Sequence, residues 1–375
     1  MKLIQSPLLV ILSASLPACW ATDINVGTAV PAFEDASVKS DRPDTAGLAS
    51  TEHVVECNGN WFDTDTDNAN CGGCGVACST AAPSQAQCVG GRCLITLASG
   101  HPVGLAVRDS TVYFSDPSRA DGTVLEVPVE GGSPTVISAD NNFPNALAVE
   151  ADTLYWVDSV PGRSAVMGLL PGSATSTLAT SQFFAGYIAV DSRGIYVSDY
   201  DGQSADHTGN ILSVPLGGGT PTMLAANQKG PLSLVVNDTG LYWVNYEGGS
   251  IMQLTFDGGT PVALATGQNS PARLAVDAVN VYWTNGGDGT VVKLPRSGGA
   301  PTVLARGQKT PLGVAVDEQA VYWTNSGDGT VMKTSIDGGS ITRLASTSTS
   351  ATSIAVDATS VYWLAADAVM RVTPK

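Results

Sequence analysis

The chain has 375 residues, 43% of them hydrophobic and 14% charged, with 41 glycines and 21 prolines. That is apolar material for a sizeable core, while so many turn formers and so few charges exclude an architecture of long solvated helices and favour short strands, an all-β class. Eighteen basic residues against 34 acidic ones give a net charge of −16, which repels phosphate backbones and anionic head groups and excludes nucleic acid as an expected partner.

Residues 1–19 read as an export signal: Lys2 supplies a positive start, Leu8 to Leu12 an apolar stretch, and Pro17-Ala18-Cys19 a small-residue cleavage region. The run Leu16-Pro17-Ala18-Cys19 resembles the lipobox of bacterial lipoproteins. That resemblance implies lipidation at Cys19, an outer-membrane or cell-surface location, and contact with the membrane only through the N-terminal lipid. Ordinary signal cleavage is the alternative; it would remove Cys19 and leave a periplasmic or secreted protein. Residues 20–55 are rich in Ala, Thr, Asp, Ser and Pro without a hydrophobic period, as in a flexible tether.

A cysteine module follows over residues 56–93. Cys57, Cys71, Cys74, Cys78, Cys88 and Cys93 lie among few core-forming side chains, so crosslinks are expected to replace a hydrophobic core. Cys71-Gly-Gly-Cys74 has zinc-ligand spacing, but an exported chain with no paired histidine nearby favours three disulfides, in one of fifteen pairings. Asn70-Cys71-Gly72-Gly73-Cys74-Gly75-Val76-Ala77-Cys78 resembles the core of the stigma-specific-protein cysteine family, which implies a small extracellular module. Asp63, Asp65 and Asp67 alternate like calcium ligands, yet the glycine and terminal glutamate of an EF-hand are missing, so turn capping is the expectation. No metal and no cofactor is expected.

From residue 94 to 375 one pattern recurs seven times, clearest as Arg273-Leu-Ala-Val-Asp277 followed by Val281-Tyr-Trp-Thr-Asn285. Its tyrosines, at 113, 155, 196, 242, 282, 322 and 362, are spaced by 42, 41, 46, 40, 40 and 40 residues. Each unit holds four strand-like segments divided by turn formers; in the sixth they are Gly313 to Val316, Val321 to Thr324, Thr330 to Thr334 and Ile341 to Ala345. The expected fold is a seven-bladed β-propeller of four-stranded blades. The last unit has only three segments, and Leu94 to Ala98 matches the missing fourth, so the N-terminal strand should close the ring. Val-Tyr-Trp-Thr-Asn resembles the YWTD repeat of low-density-lipoprotein-receptor propellers, and the spacing is similar to that of NHL repeats. The usual YWTD propeller has six blades; this one is expected to have seven.

Residues that recur hold blades together, so binding residues are sought where the repeat breaks. Loops entering the first strand and loops joining the second and third strands share one propeller face. The first set offers His101, Phe143, Phe183, Phe184, Tyr187 and Lys309; the second offers Arg119, Arg163, Tyr200, Asp201, His207, Tyr246 and Glu247. The insertion from Tyr200 to Thr208 is the leading candidate, because aromatics beside amide, carboxylate and guanidinium groups suit a peptide, protein or glycan. A propeller lyase or lactonase using His101 or His207 and a structural spacer of the cell envelope are the rival expectations. No catalytic residue is assigned, and the oligomeric state is left open.

Overall fold

Alternating strand residues point to opposite faces of a sheet, so a Tyr-Trp dipeptide in the second strand of a blade sends one aromatic ring towards each neighbouring blade. The computed structural model, which describes residues 53–78, 85–118, 122–160, 163–170, 172–181, 184–200 and 207–375, shows this arrangement around a complete ring. Tyr113 packs with Trp156, Tyr155 with Val197, Tyr196 with Trp243, Tyr242 with Trp283, Tyr282 with Trp323 and Tyr322 with Trp363, and Tyr362 joins the cluster of Phe114. Each tyrosine therefore shares a core with the aromatic or valine of the next blade. Trp156, Trp243, Trp283, Trp323 and Trp363 are wholly buried, each contributing about 1.5–3 kcal/mol of apolar burial. This is why the Tyr-Trp pairs are scaffold.

The sheets follow the chain. Blade 5, for example, consists of Pro271–Val276, Asn280–Asn285, Thr290–Pro295 and Thr302–Ala305, antiparallel throughout. Blade 6 consists of Pro311–Val316, Ala320–Asn325, Thr330–Ser335 and Thr342–Ser346, within a few residues of the segments expected. First strands neighbour one another in sequence, and the last, Ala351–Val356, returns to the first, Leu105–Arg108. The fold is all-β with seven blades.

Closure occurs where expected, with more structure than expected. Ala368–Thr373 pairs with Arg92–Ser99 in the register Ala368↔Ser99, Met370↔Thr96 and Arg371↔Ile95. The closing strand therefore begins inside the cysteine module, and Gln85–Val89 pairs with its far edge, Cys88 opposite Cys93. The seventh sheet has five strands.

The six cysteines form three disulfides, Cys57–Cys74, Cys71–Cys88 and Cys78–Cys93. Such bonds persist in oxidising compartments outside the cytosol, as in an exported protein. Asp63 accepts from the Asp65 N–H at 3.0 Å, and Asp67 from the Ala69 N–H at 2.7 Å, so both carboxylates cap turns as expected. Asp65 pairs with His53 at 2.7 Å. The export signal, Cys19 and the tether up to residue 52 lie outside the described residues. Among the described residues no helix is long and apolar enough to cross a membrane.

Candidate functional site

The last residue of the Tyr-Trp-x-Asp/Asn pattern ties the entry loop of a blade to its second strand. Asp116 accepts from the His101 N–H at 3.2 Å, and Asp158 from the Phe143 N–H at 2.8 Å. In blade 6 an amide takes over: Gln308 accepts from the Trp323 indole at 2.9 Å and from Asn325 at 3.1 Å. Backbone bonds then join the two loop sets, Ser326 N–H to the Thr310 carbonyl at 3.0 Å and Gly327 N–H to the Lys309 carbonyl at 3.0 Å. Both sets lie side by side on one face.

On that face the blade 3 insertion, the next entry loop and the blade 4 loop between Gly240–Asn245 and Ser250–Thr255 bring four of the sequence candidates together. The Tyr200 hydroxyl lies 2.7 Å from His207 Nδ1, and Glu247 Oε1 lies 4.0 Å from the same nitrogen. With Nδ1 unprotonated the phenol donates to it and the imidazole proton sits on Nε2. The His207 carbonyl accepts from the Gly230 N–H at 2.8 Å, and the Gly230 carbonyl from the Tyr246 N–H at 2.9 Å. Gly230 has a φ of +63°, and a Cβ there would come within 2.9 Å of Glu247 Cγ, so only glycine lets Glu247 lie against the loop. The His207 and Glu247 side chains are 50% and 46% exposed, leaving imidazole and carboxylate open to a ligand beside the half-buried Tyr200 ring.

The other candidates are more scattered. Phe143 is exposed in the blade 2 entry loop, and Arg163 is exposed at the blade 2 hairpin opposite Val160. Phe184 pairs through its backbone with Tyr200. His101 stands at the seam between blades 7 and 1, its Nδ1 3.0 Å from the Ala366 carbonyl, so the two propeller histidines occupy separate places. Arg119, Phe183 and Asp201 lie outside the described residues.

Arg273 is a residue the sequence reading leaves in the scaffold. Its guanidinium carbon lies 4.5 Å from the centre of the Tyr187 ring, within cation–π range. The two occupy one repeat position, which in the other blades holds Gly104, Ala146, Ser233, Gly313 and Ser353. Tyr187 and Arg273 belong to the innermost strands of blades 3 and 5, so they meet across blade 4, where the small Ser233 stands. Aligning the seven units on this position would have revealed the pair.

No protein-family description matches the chain, and no curated protein matches it. Solved structures do. A streptogramin B lyase is 12% identical with a TM-score of 0.63, over 76% of this chain and 98% of that one. A catalytically inactive virginiamycin B lyase from Staphylococcus aureus with quinupristin is 14% identical with a TM-score of 0.62, over 74% and 96%. BamB from Moraxella catarrhalis is 18% identical with a TM-score of 0.50, over 74% and 88%. At such identities the likeness is one of fold, and the class it defines is the β-propeller.

Proposed function

We propose that this is an exported binding protein, tethered through a lipid on Cys19, whose loop face takes a peptide, protein or glycan around Tyr200, His207, Tyr246 and Glu247. The observation that carries this reading is the exposed Tyr200–His207–Glu247 cluster, built where the 40-residue repeat is broken by an insertion. An aromatic face stacks on a sugar or side chain, while the imidazole and carboxylate bond its polar groups. Phe143, Phe184, Tyr187, Arg163, Arg119, Asp201 and His101 extend the candidate surface. The test screens the mature protein against displayed peptides and glycan arrays, beside a Tyr200→Ala/His207→Ala/Glu247→Ala variant. Loss of the captured ligand with an unchanged melting temperature supports the site; retained capture refutes it. Mass spectrometry of the mature N-terminus tests the tether, which requires an acylated Cys19.

A second reading, a lyase or lactonase, rests on the same His207. In the other tautomer, with the proton on Nδ1 towards Tyr200 Oη and with Glu247 Oε1 4.0 Å away, Nε2 is free to act as a general base, on a fold shared with streptogramin B lyases. It requires a turnover that His207→Ala abolishes, and a broad substrate screen without turnover eliminates it.

A further inference from the structure

The first strands of blades 3, 4 and 5 lose register near their loop-face ends. The breaks fall between Ala185 and Tyr187, between Leu232 and Leu234, and between Pro271 and Leu274, and bulges of this kind re-aim the side chains they carry. The same position elsewhere calls for a small residue. A Cβ at Gly313 would run into the Thr352 carbonyl of the next first strand, and one at Gly104 into that of Asn145. Arg273 and Tyr187 depart from this rule. The Arg273 side chain leaves the crowded seam and passes the inner end of blade 4, where its guanidinium carbon lies 4.5 Å from the centre of the Tyr187 ring.

The guanidinium is held there without being neutralised. Of its five N–H donors, one meets the Ala272 carbonyl at 3.4 Å, and the Tyr187 ring attracts the cation through its face. Arg108, Arg193 and Arg371 each have a carboxylate beside them. Among the described residues Arg273 has none, in a chain with 34 acidic residues.

Arg273 and Tyr187 are both half-buried. The charge is therefore partly desolvated without a counter-ion, which costs stability, while part of each side chain stays open to solvent. The serine or glycine of other blades would avoid that cost. A guanidinium whose plane is fixed by an aromatic ring and whose fork is free suits a carboxylate, because two parallel N–H···O bonds form at once. The net charge of −16 disfavours a dianion such as phosphate at the same place.

We infer that the inner end of blade 4 binds the carboxylate of a ligand, with both oxygens on the Arg273 guanidinium and the Tyr187 ring behind it. The site adjoins the loop-face surface but requires none of Tyr200, His207 and Glu247. A neutral amide of the same shape lacks the charge and the second acceptor, so the site rejects it.

The probe is acetate against acetamide at constant ionic strength, read on arginine Nε–H signals in nitrogen–proton NMR spectra, with Arg273 assigned by Arg273→Lys. The expected result is a saturable shift of the Arg273 signal with acetate, at least a tenfold weaker response to acetamide, and no saturation at the exposed Arg163. Tyr187→Ser, which frees the guanidinium, should weaken the acetate response at least threefold. Acetyl-diglycine and glucuronate then tell a peptide C-terminus from a sugar acid as the source of the group. No saturation at Arg273, an equal response at Arg163 or to acetamide, or tighter binding of inorganic phosphate would overturn the inference. No loop-face ligand enters this measurement, so a failure here and a failure of capture at Tyr200, His207 and Glu247 are told apart.

Discussion

The Tyr362 hydroxyl donates to Asp357 Oδ2 at 2.6 Å, as Tyr322 does to Asp317 at 2.9 Å and Tyr282 to Asp277 at 2.7 Å. The other oxygen of Asp357 caps the turn between first and second strands, accepting from the N–H groups of Thr359 at 2.7 Å and Ser360 at 2.8 Å. One carboxylate thus fixes the hairpin and the repeat tyrosine five residues on, which accounts for the constant spacing of Asp and Tyr in the last three blades. Tyr362→Phe leaves the carboxylate short of a donor and should cost about 1–2 kcal/mol. Urea unfolding checks this, and an unchanged midpoint would show the bond to be dispensable.

The same pairs set the response to pH. Burial alone would raise the Asp357 carboxyl, but the Tyr362 hydroxyl and the turn N–H groups outweigh it and hold it below the usual range. Burial also opposes Asp317, which the Lys375 ammonium, the turn N–H groups and Tyr322 bring down. A depressed carboxyl stabilises the fold above the unfolded value, about 4, and that contribution is lost as pH falls through the lowered native value. Burial first, then the bonded aspartate, raises the phenols of Tyr282, Tyr322 and Tyr362. A raised phenol stabilises fully below about pH 10 and loses its contribution above that, as the unfolded chain ionises first. Melting temperature against pH should therefore fall below about 4 and above about 10, and Tyr362→Phe should blunt the alkaline limb. An alkaline limb identical in the variant would remove Tyr362 from the account.

The repeat made the blades legible because every tyrosine and tryptophan meets the same neighbours, and the three-segment last unit made the closure legible too. The fifth strand, Gln85–Val89, was not legible: its pairing with Arg92–Ser99 is imposed by a hairpin whose turn sits inside the cysteine module. Tyr200 and His207 could be named from the broken spacing. Their contact with Glu247 depends on Gly230, whose positive φ lets the next blade's loop approach, and sequence spacing carries no trace of that approach. Arg273 escaped because it belongs to the clearest copy of the repeat, where its conflict with five small residues shows only on alignment.

Hydroxyls at the third position of the Tyr-Trp-Thr-Asn motif staple blade to blade. Thr324 Oγ1 accepts from the Gly313 N–H at 2.8 Å and donates to the Thr352 carbonyl at 2.5 Å, joining blade 6 to blade 7. Thr284 donates in the same way to Leu312 at 2.6 Å. Val244 at the equivalent place in blade 4 shows that valine fits the space. Thr324→Val should therefore cost about 2 kcal/mol through two unsatisfied backbone groups, with no cavity. Thermal unfolding measures it, and a loss below a few tenths would mean that the neighbouring groups find other partners.

Cys93 lies opposite Thr373 in the closing strand, so its bond to Cys78, 15 residues away in sequence, anchors the clasp of the ring. Closing a loop of that length contributes about 3 kcal/mol in the chain-entropy account. Cys78→Ser/Cys93→Ser should lower stability by about that amount and open the Ala368–Thr373 edge to hydrogen exchange ahead of the other blades. Uniform protection across all seven sheets would show that pairing alone holds the clasp.

Tyr187 and Arg273 stack across the inner end of blade 4, at a position where five blades carry only small side chains. Scaffold needs do not call for large groups there, and the half-buried stack contributes about 0.5–2 kcal/mol. Arg273→Ser and Tyr187→Ser, each restoring the residue of blade 4 or blade 7, should leave the melting temperature within about 2 °C, since such a loss moves a chain of this size only slightly. If the loop-face ligand reaches the channel mouth, Arg273→Ser should weaken its capture at least tenfold while sparing stability. Undiminished capture would confine the ligand to the Tyr200–His207–Glu247 rim, and a collapse of stability would return Arg273 to the scaffold.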